Sequence, residues 1–198
     1  MNNIAPSAQV TRKKILSAAA EQFSLFGPNK TSMEEIATEA GLSRATLYLH
    51  FSGKRALYEA LLQSTMEGFI EEVVNLVSTD RPAPRKLRLF VELTARTYAN
   101  NPVFLAALSA DKDFSIQKVA APIVKKYREA ILEPMRSILK DGIKESSIRK
   151  LDVEGTAYLM YELGTELLIK ELTGKADYPL NQILDVMDDL VANGILKN

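Results

Sequence analysis

The chain has no cysteine, a single histidine (His50) and no excess of charge of either sign. Without cysteine there can be no disulfide and no thiol chemistry, which fits a reducing compartment. With one histidine, any histidine-based metal site or catalytic triad must be built around His50 alone. Neither a glycine-rich phosphate loop nor a serine-nucleophile motif is present. The adjacent acids Glu34-Glu35, Glu71-Glu72 and Asp188-Asp189 fall on predicted helices, where sequence neighbours do not face each other, so they read as solvated faces. An enzyme therefore has little support, and no catalytic residue, metal or cofactor is expected. Long hydrophobic runs are also missing. The most apolar stretch, Tyr158–Ile169, is too short to span a bilayer and carries Glu162 and Glu166. No signal-peptide pattern is found, so a cytoplasmic protein without a membrane partner is expected.

What is present is a chain of 198 residues, 46% hydrophobic, able to bury a core in one or two domains. Its neutral charge is unevenly spread. Residues 1–65 carry seven Lys/Arg against five acids, a net +2, which leaves the other 18 basic and 20 acidic residues a net −2. A small basic end on a neutral protein suits a DNA-binding module attached to a body with another task.

The stretch Thr31–Arg55, TSMEEIATEAGLSRATLYLHFSGKR, is the most informative. Thr31 and Ser32 each have a glutamate three residues on, so either can cap a first short helix. Ile36, Ala37 and Ala40 give that helix a small apolar face. Gly41 then stands where a tight turn needs a left-handed residue. Leu42 is expected in the core, Ser43 caps a second helix, and Leu47 faces inward. Arg44, Ala45, Thr46, Tyr48 and His50 are left outside. This is a helix-turn-helix pattern, whose second helix enters the DNA major groove. Ala, Gly and Leu at these offsets also occur in plain helical hairpins.

The following segment, Tyr48-Leu49-His50-Phe51 with Lys54 and Leu57, separates the two readings. Together with Ala40, Gly41, Leu42, Ser43, Thr46 and Leu47 it resembles the signature of tetracycline-repressor-type (TetR-family) regulators. The detailed match covers about residues 10 to 62, and beyond it only length and helical layout agree. Gly27-Pro28 and Ser52-Gly53 depart from the family pattern without removing an expected DNA contact. The resemblance implies an all-α fold: an N-terminal three-helix helix-turn-helix DNA-binding domain (1–53), then a C-terminal helical ligand-binding and dimerisation domain (54–198).

Along the chain, residues 1–9 read as a polar tail and Thr11–Phe26 as the first helix, with Ile15, Ala19, Phe23 and Phe26 on one face. Arg12, Lys13 and Lys14 at its start suit either a phosphate contact or a solvated surface. A helix from Lys54 to about Val77 joins the DNA module to the rest. Asp80–Pro84 is a break, followed by helices over about Arg85–Ala99 and Pro102–Ser109. Residues 110–120 are ambiguous. Pro122 can open a helix to about Lys144, inside which Pro134 predicts a kink. Asp152 is expected to cap a helix to Leu172. The last helix, from Pro179 to about Leu196, places Leu180, Ile183, Leu184, Met187, Leu190 and Val191 along one stripe.

The helices at about 152–172 and 179–196 are apolar on more than one side. Either they form an intramolecular core, or two copies pair as a four-helix bundle, which is where the resemblance puts the family's dimer interface. A homodimer also reads a palindromic double-stranded operator with two recognition helices. On the recognition helix, Arg44 can reach a guanine, Ala45 a thymine methyl, and Leu49 is a weaker base contact. Thr31, Ser32, Ser43, Thr46, Tyr48, His50 and Lys54, with the amides at helix starts, suit phosphate oxygens. Between about 54 and 144 the resemblance implies an effector pocket. Phe69, Phe90, Tyr98, Phe104, Leu108, Tyr127, Met135 and Tyr161 are apolar or aromatic enough to line one, or simply to be core.

The expected function is a homodimeric, ligand-responsive repressor, released from a palindromic operator by a small apolar or amphipathic effector. A DNA-binding activator or architectural protein without a ligand is the first rival. An enzyme or a small-molecule carrier is weaker.

Overall fold

The computed structural model describes residues 6–108 and 114–179, together with 181, 182, 185, 186 and 189. Eight helices and no strand lie within these residues: α1 (Pro6–Phe26), α2 (Met33–Glu39), α3 (Arg44–His50), α4 (Lys54–Val77), α5 (Ala83–Asn100), α6 (Pro102–Leu108), α7 (Phe114–Lys144) and α8 (Val153–Leu172). None of the helices among the described residues is long and apolar enough to cross a membrane. The chain divides into two compact units. One comprises Met1–Thr65 with Asn101–Ile123, the other Met66–Asn100 with Val124–Asn198.

In the first unit α1 packs on α2 and α6, and α2 packs on α3. Helix α1 begins at Pro6, ahead of the expected Thr11, so residues 6–10 are helical rather than tail. A proline suits a helix's first turn, and the Thr11 hydroxyl donates back to the Ser7 carbonyl at 2.9 Å. Ile15, Ala19 and Phe23 are buried as the periodicity predicts, but Phe26 is 56% exposed. It is the last residue of α1, and Phe23 finds its partner in the edge of the Tyr58 ring of α4, 5.7 Å between centroids.

The capping ambiguity resolves in favour of Ser32. The Glu35 N–H donates to Ser32 Oγ at 3.2 Å, and the Ser32 N–H donates to Glu35 Oε2 at 2.6 Å, a complete capping box. That bond, with the Ser32 hydroxyl, holds the Glu35 carboxyl below its ordinary pKa. Ser43 Oγ likewise accepts from the Thr46 N–H at 3.0 Å and starts α3. Between the two helices Gly41 has φ +64°, and the Leu42 N–H donates to the Ala37 carbonyl at 2.9 Å. Leu47 is fully buried, whereas Leu42 is half-buried rather than in the core.

In the second unit α5 packs on α8. Lys86 is buried and its ammonium donates to the Val77 carbonyl at 2.8 Å, meeting the negative C-terminal end of α4. Helix α7 starts at Phe114 and runs for 31 residues through Pro122 and Pro134. Pro122 therefore does not open the helix. Ala120 and Ile123, on either side of it, are buried, and burial of the flanks offsets the backbone hydrogen bond a proline forfeits. Near the end of α7 the backbone approaches its neighbours closely. A Cβ on Gly142 would lie 2.5 Å from Ile148 Cδ1 and 2.8 Å from the Ala83 Cβ. Asp152 stands at the N-cap of α8 but makes no side-chain capping bond. Arg136 of α7, 15% exposed, meets Glu129 (3.0 Å), Glu133 (3.3 Å) and Glu154 of α8 (2.6 Å).

The last predicted helix, with Leu180, Ile183, Leu184, Met187, Leu190 and Val191, lies outside the described residues. Only Asn181, Gln182, Asp185, Val186 and Asp189 are described there, and they are helical.

Candidate nucleic-acid interface and apolar cavity

Helix α3 shows why a seven-residue segment can present a reading face. Leu47 holds it from below, Ser43 fixes its start, and Phe51, 4% exposed, closes its end. What remains outward is Ser43, Arg44, Ala45, Tyr48 and Leu49, with Thr46 and His50 half-buried. Leu49 is 86% exposed. A leucine so exposed on a helix held by packing on its opposite side costs solvation in the free protein and gains from any apolar surface laid on it.

Arg44 is not a bare cation. Its guanidinium pairs with Glu34 of α2 and lies over the Tyr48 ring, 5.6 Å to the centroid. The hydrogen bond with Tyr48, then the charge of Glu34, raise its pKa further. The sequence reading missed Glu34 because its partner lies beyond the turn, where helical periodicity does not reach. Arg12 also departs from its neighbours. Lys13 and Lys14 are exposed, whereas Arg12 is half-buried with its guanidinium 4.5 Å above the Phe51 ring.

Two residues expected to face phosphate are tied inward. Thr31 is 2% exposed, and its hydroxyl donates to the carbonyls of Gly27 (3.0 Å) and Gln22 (3.2 Å), so its side chain holds the loop onto α1. The Lys54 ammonium donates to the carbonyls of Thr31 (2.9 Å) and Asn29 (3.2 Å). An ammonium has three donors, so one remains beyond these two bonds. Ser32 is engaged in the capping box already described.

A separate feature lies within the second unit. A cavity of about 30 Å³ is enclosed by Phe69 of α4, by Leu87, Phe90, Val91, Thr94 and Tyr98 of α5, by Ile131 and Met135 of α7, and by Met160, Tyr161, Gly164, Thr165 and Leu168 of α8. Phe69 and Phe90 meet edge to face at 6.1 Å. Of the eight residues proposed for a pocket, Phe69, Phe90, Tyr98, Met135 and Tyr161 line this cavity. Tyr127 does not. It is buried, and its hydroxyl bonds Glu67 Oε1 at 3.0 Å. Phe104 and Leu108 belong to α6 in the first unit, where Phe104 is core and Leu108 half-buried. The α8 lining was the harder part to anticipate, because α8 carries apolar residues on more than one side, with Leu159 and Leu163 exposed and Tyr161 and Leu168 buried.

Polar groups at the cavity are few and engaged. Burial pushes the Tyr98 hydroxyl up to about 12, and it is hydrogen-bonded with Thr165. Burial also raises the Tyr161 hydroxyl, against a hydrogen bond with Arg128 that lowers it. Among the described residues no three His, Asp or Glu gather as metal ligands would.

Comparison with known proteins agrees with this arrangement. The family model for bacterial regulatory proteins of the tetR family matches residues 15–61, which span the core of α1 through the first turns of α4. The transcriptional regulator UidR of Escherichia coli K12 is 33% identical over 135 residues, covering 61% of this chain and 68% of that protein. Among solved structures, FadR of Bacillus subtilis in complex with stearoyl-CoA superimposes with a TM-score of 0.70 at 22% identity, covering 93% of this chain and 99% of that one. A Saccharomonospora viridis protein in complex with choline gives 0.76 at 20% identity, covering 96% and 100%. The shared fold is all-helical, with an N-terminal helix-turn-helix and a C-terminal helical domain. This chain is a DNA-binding transcriptional regulator, not an enzyme, and belongs to the TetR family.

Proposed function

We propose that the protein is a cytoplasmic homodimeric repressor that leaves a palindromic operator when a small apolar or amphipathic effector occupies the cavity of the second unit. Residues 1–53 are the DNA-reading module and 54–198 the effector and dimer module. The observation that carries the reading is the outward row Arg44, Ala45, Tyr48 and Leu49 on a helix anchored by Leu47. Arg44 reads a guanine edge, Ala45 and Leu49 touch base edges, and Ser43, Thr46, Tyr48, His50 and Lys54 position the helix on phosphates.

Dimerisation is supported by α8, where Tyr158, Leu159 and Leu163 are each more than half exposed in the single chain. Leu159 and Leu163 are one turn apart, so they form one apolar edge that a second copy covers. Release follows from linkage. An effector that prefers a dimer with another spacing of recognition helices shifts the population off DNA, and DNA weakens the effector by the same factor. Helix α4, unbroken from Lys54 to Val77, is the element through which the displacement passes.

The test is selection of bound sequences from random duplex DNA at a stated salt concentration. A palindromic consensus with half-sites one or two helical turns apart is expected. Absence of any enriched sequence, from protein shown to be free of bound ligand, overturns the reading. The cavity volume favours one alternative, a DNA-binding protein without an effector. Pockets for drug-sized ligands are roughly 300–1,000 Å³, far above the 30 Å³ here. That alternative predicts that no apolar probe alters operator affinity. The effector reading instead requires the cavity to expand on binding, as its flexible Met135 and Met160 permit.

A further inference from the structure

We infer that Arg128 is the anchor for a carboxylate at the cavity of the second unit, and hence that the effector is an amphipathic carboxylic acid whose apolar tail enters between α5, α7 and α8. The inference rests on that cavity being the effector site.

The walls make the tail position. Phe69, Phe90, Met135 and Leu168 present carbon, and the polar pair Tyr98 and Thr165 is satisfied internally. The head position comes from the edge of the cavity at Tyr161. Arg128 lies one turn before the lining residue Ile131 on α7, and its guanidinium is 5.5 Å from the centroid of the Tyr161 ring and 6.0 Å from that of Tyr158. It hydrogen-bonds the Tyr161 hydroxyl, and Nη2 meets Glu162 Oε1 at 3.1 Å. The Nε atom, on the same edge of the guanidinium as Nη2, is buried with no hydrogen-bond acceptor, as is that of Arg136. Arg136 Nε still faces the Glu154 carboxylate at 2.6 Å, whereas Glu162 meets only Nη2 of Arg128.

That orphan donor is informative, because buried N–H groups are nearly always satisfied. The Nε/Nη2 edge matches the two oxygens of a carboxylate, and here Glu162 fills only half of it. A ligand carboxylate accepting from both nitrogens completes the fork. Glu162, 43% exposed, is free to turn toward water. Tyr161 then donates its own proton to the same head group.

The other guanidinium on this side of α7 sharpens the choice. Arg136 already faces three carboxylates, so a further anion there meets net repulsion. Arg128 faces one, with two aromatic rings that do not cancel its charge. A cationic ligand at Arg128 is repelled, and a neutral one leaves the fork half filled.

The experiment is calorimetric titration of the full chain with decanoate, decan-1-ol and decyltrimethylammonium, each below its micelle concentration. Decanoate is expected to bind about tenfold or more tightly than the alcohol, and the ammonium compound not measurably, since a hydrogen bond to a charged group outweighs a neutral one by roughly that factor. Arg128→Met should bring decanoate down to the level of the alcohol. Arg128→Lys, which keeps the charge and loses the fork, should fall between. Glu162→Gln should strengthen decanoate severalfold, and because it removes a charge from an exposed group it also guards against a misfolded arginine variant. If decanoate and decanol bind alike, and Arg128→Met changes neither, the anchor is overturned while the cavity survives as the effector site. If none of the three binds, the cavity itself is overturned, and the anchor with it.

Discussion

Replacing Arg44 by alanine probes the reading face at one atom group. A bidentate arginine–guanine contact discriminates against a wrong base by roughly 5- to 150-fold. In the free protein Arg44 must leave Glu34 and Tyr48 to make it. The Arg44 and Glu34 side chains are 61% and 57% exposed, and a pair so exposed is screened, so leaving it costs at most a factor of about five. With that cost taken in full, the net expectation is a loss of up to about 30-fold for each half-site, and about the square of that for a symmetric operator. Fluorescence anisotropy should show this on the selected consensus duplex at fixed salt. The loss should vanish on a duplex in which the contacted guanine pair has been exchanged in both half-sites. Thermal stability should be nearly unchanged, because the side chain is on the surface. Two results refute the reasoning. One is an unaltered preference for the consensus. The other is a uniform loss on all sequences with a salt slope smaller by about 0.9 per site, which marks a phosphate contact instead.

Other consequences concern the scaffold. Gly142→Ala should cost ~1–3 kcal/mol, since Ile148 and Ala83 leave no room for the added methyl group, and thermal unfolding should show a midpoint lower by roughly 3–9 °C. Ser32→Ala, which removes the cap of α2, should cost ~0.5–2 kcal/mol in urea unfolding at neutral pH. Because the folded Glu35 carboxyl lies below its ordinary pKa, its contribution is present above pH 4.5 and is lost as the pH falls through the folded value. Glu35→Gln should therefore flatten that acid limb. Tyr98 works in the opposite direction. Its hydroxyl is held up to about 12, so the folded chain keeps a proton that the unfolded chain releases near 10, and stability should fall as pH rises from about 10 to 12. Tyr98→Phe should shallow that alkaline decline, and an unaltered slope would show the hydroxyl to be open to solvent.

The helix-turn-helix was legible because its determinants are local. Ser32, Glu35, Gly41 and Ser43 act within a few residues of themselves, and a cap or a left-handed turn is fixed by the same short segment that encodes it. Ile15, Ala19, Phe23 and Leu47 were legible for the same reason, since a helical period assigns a face without knowing the partner. The pocket was only partly legible. Aromatic character picked out Phe69, Phe90, Tyr98 and Tyr161, but it also picked out Phe104, whose ring is equally apolar and packs in the other unit. Composition identifies a side chain fit for an interior and does not say which interior.

The sequence by itself determined an all-helical chain, the reading helix and its anchor, because helix propensity, capping and periodicity are short-range. Only the tertiary structure decided which polar groups are free to act. Thr31 and Ser32 are alike in sequence, yet one hydroxyl is buried against Gly27 and Gln22 while the other caps a helix. Lys54 is bound to the carbonyls of Asn29 and Thr31, and Arg44 to a glutamate across the turn. Arg136 is surrounded by three acids, whereas Arg128 faces one, which meets its Nη2 and not its Nε. The engagement of Lys54, and the pairing of Arg128 and Arg136 with acids of α8, arise from contacts between residues distant in the chain, and no local pattern of residue types encodes them.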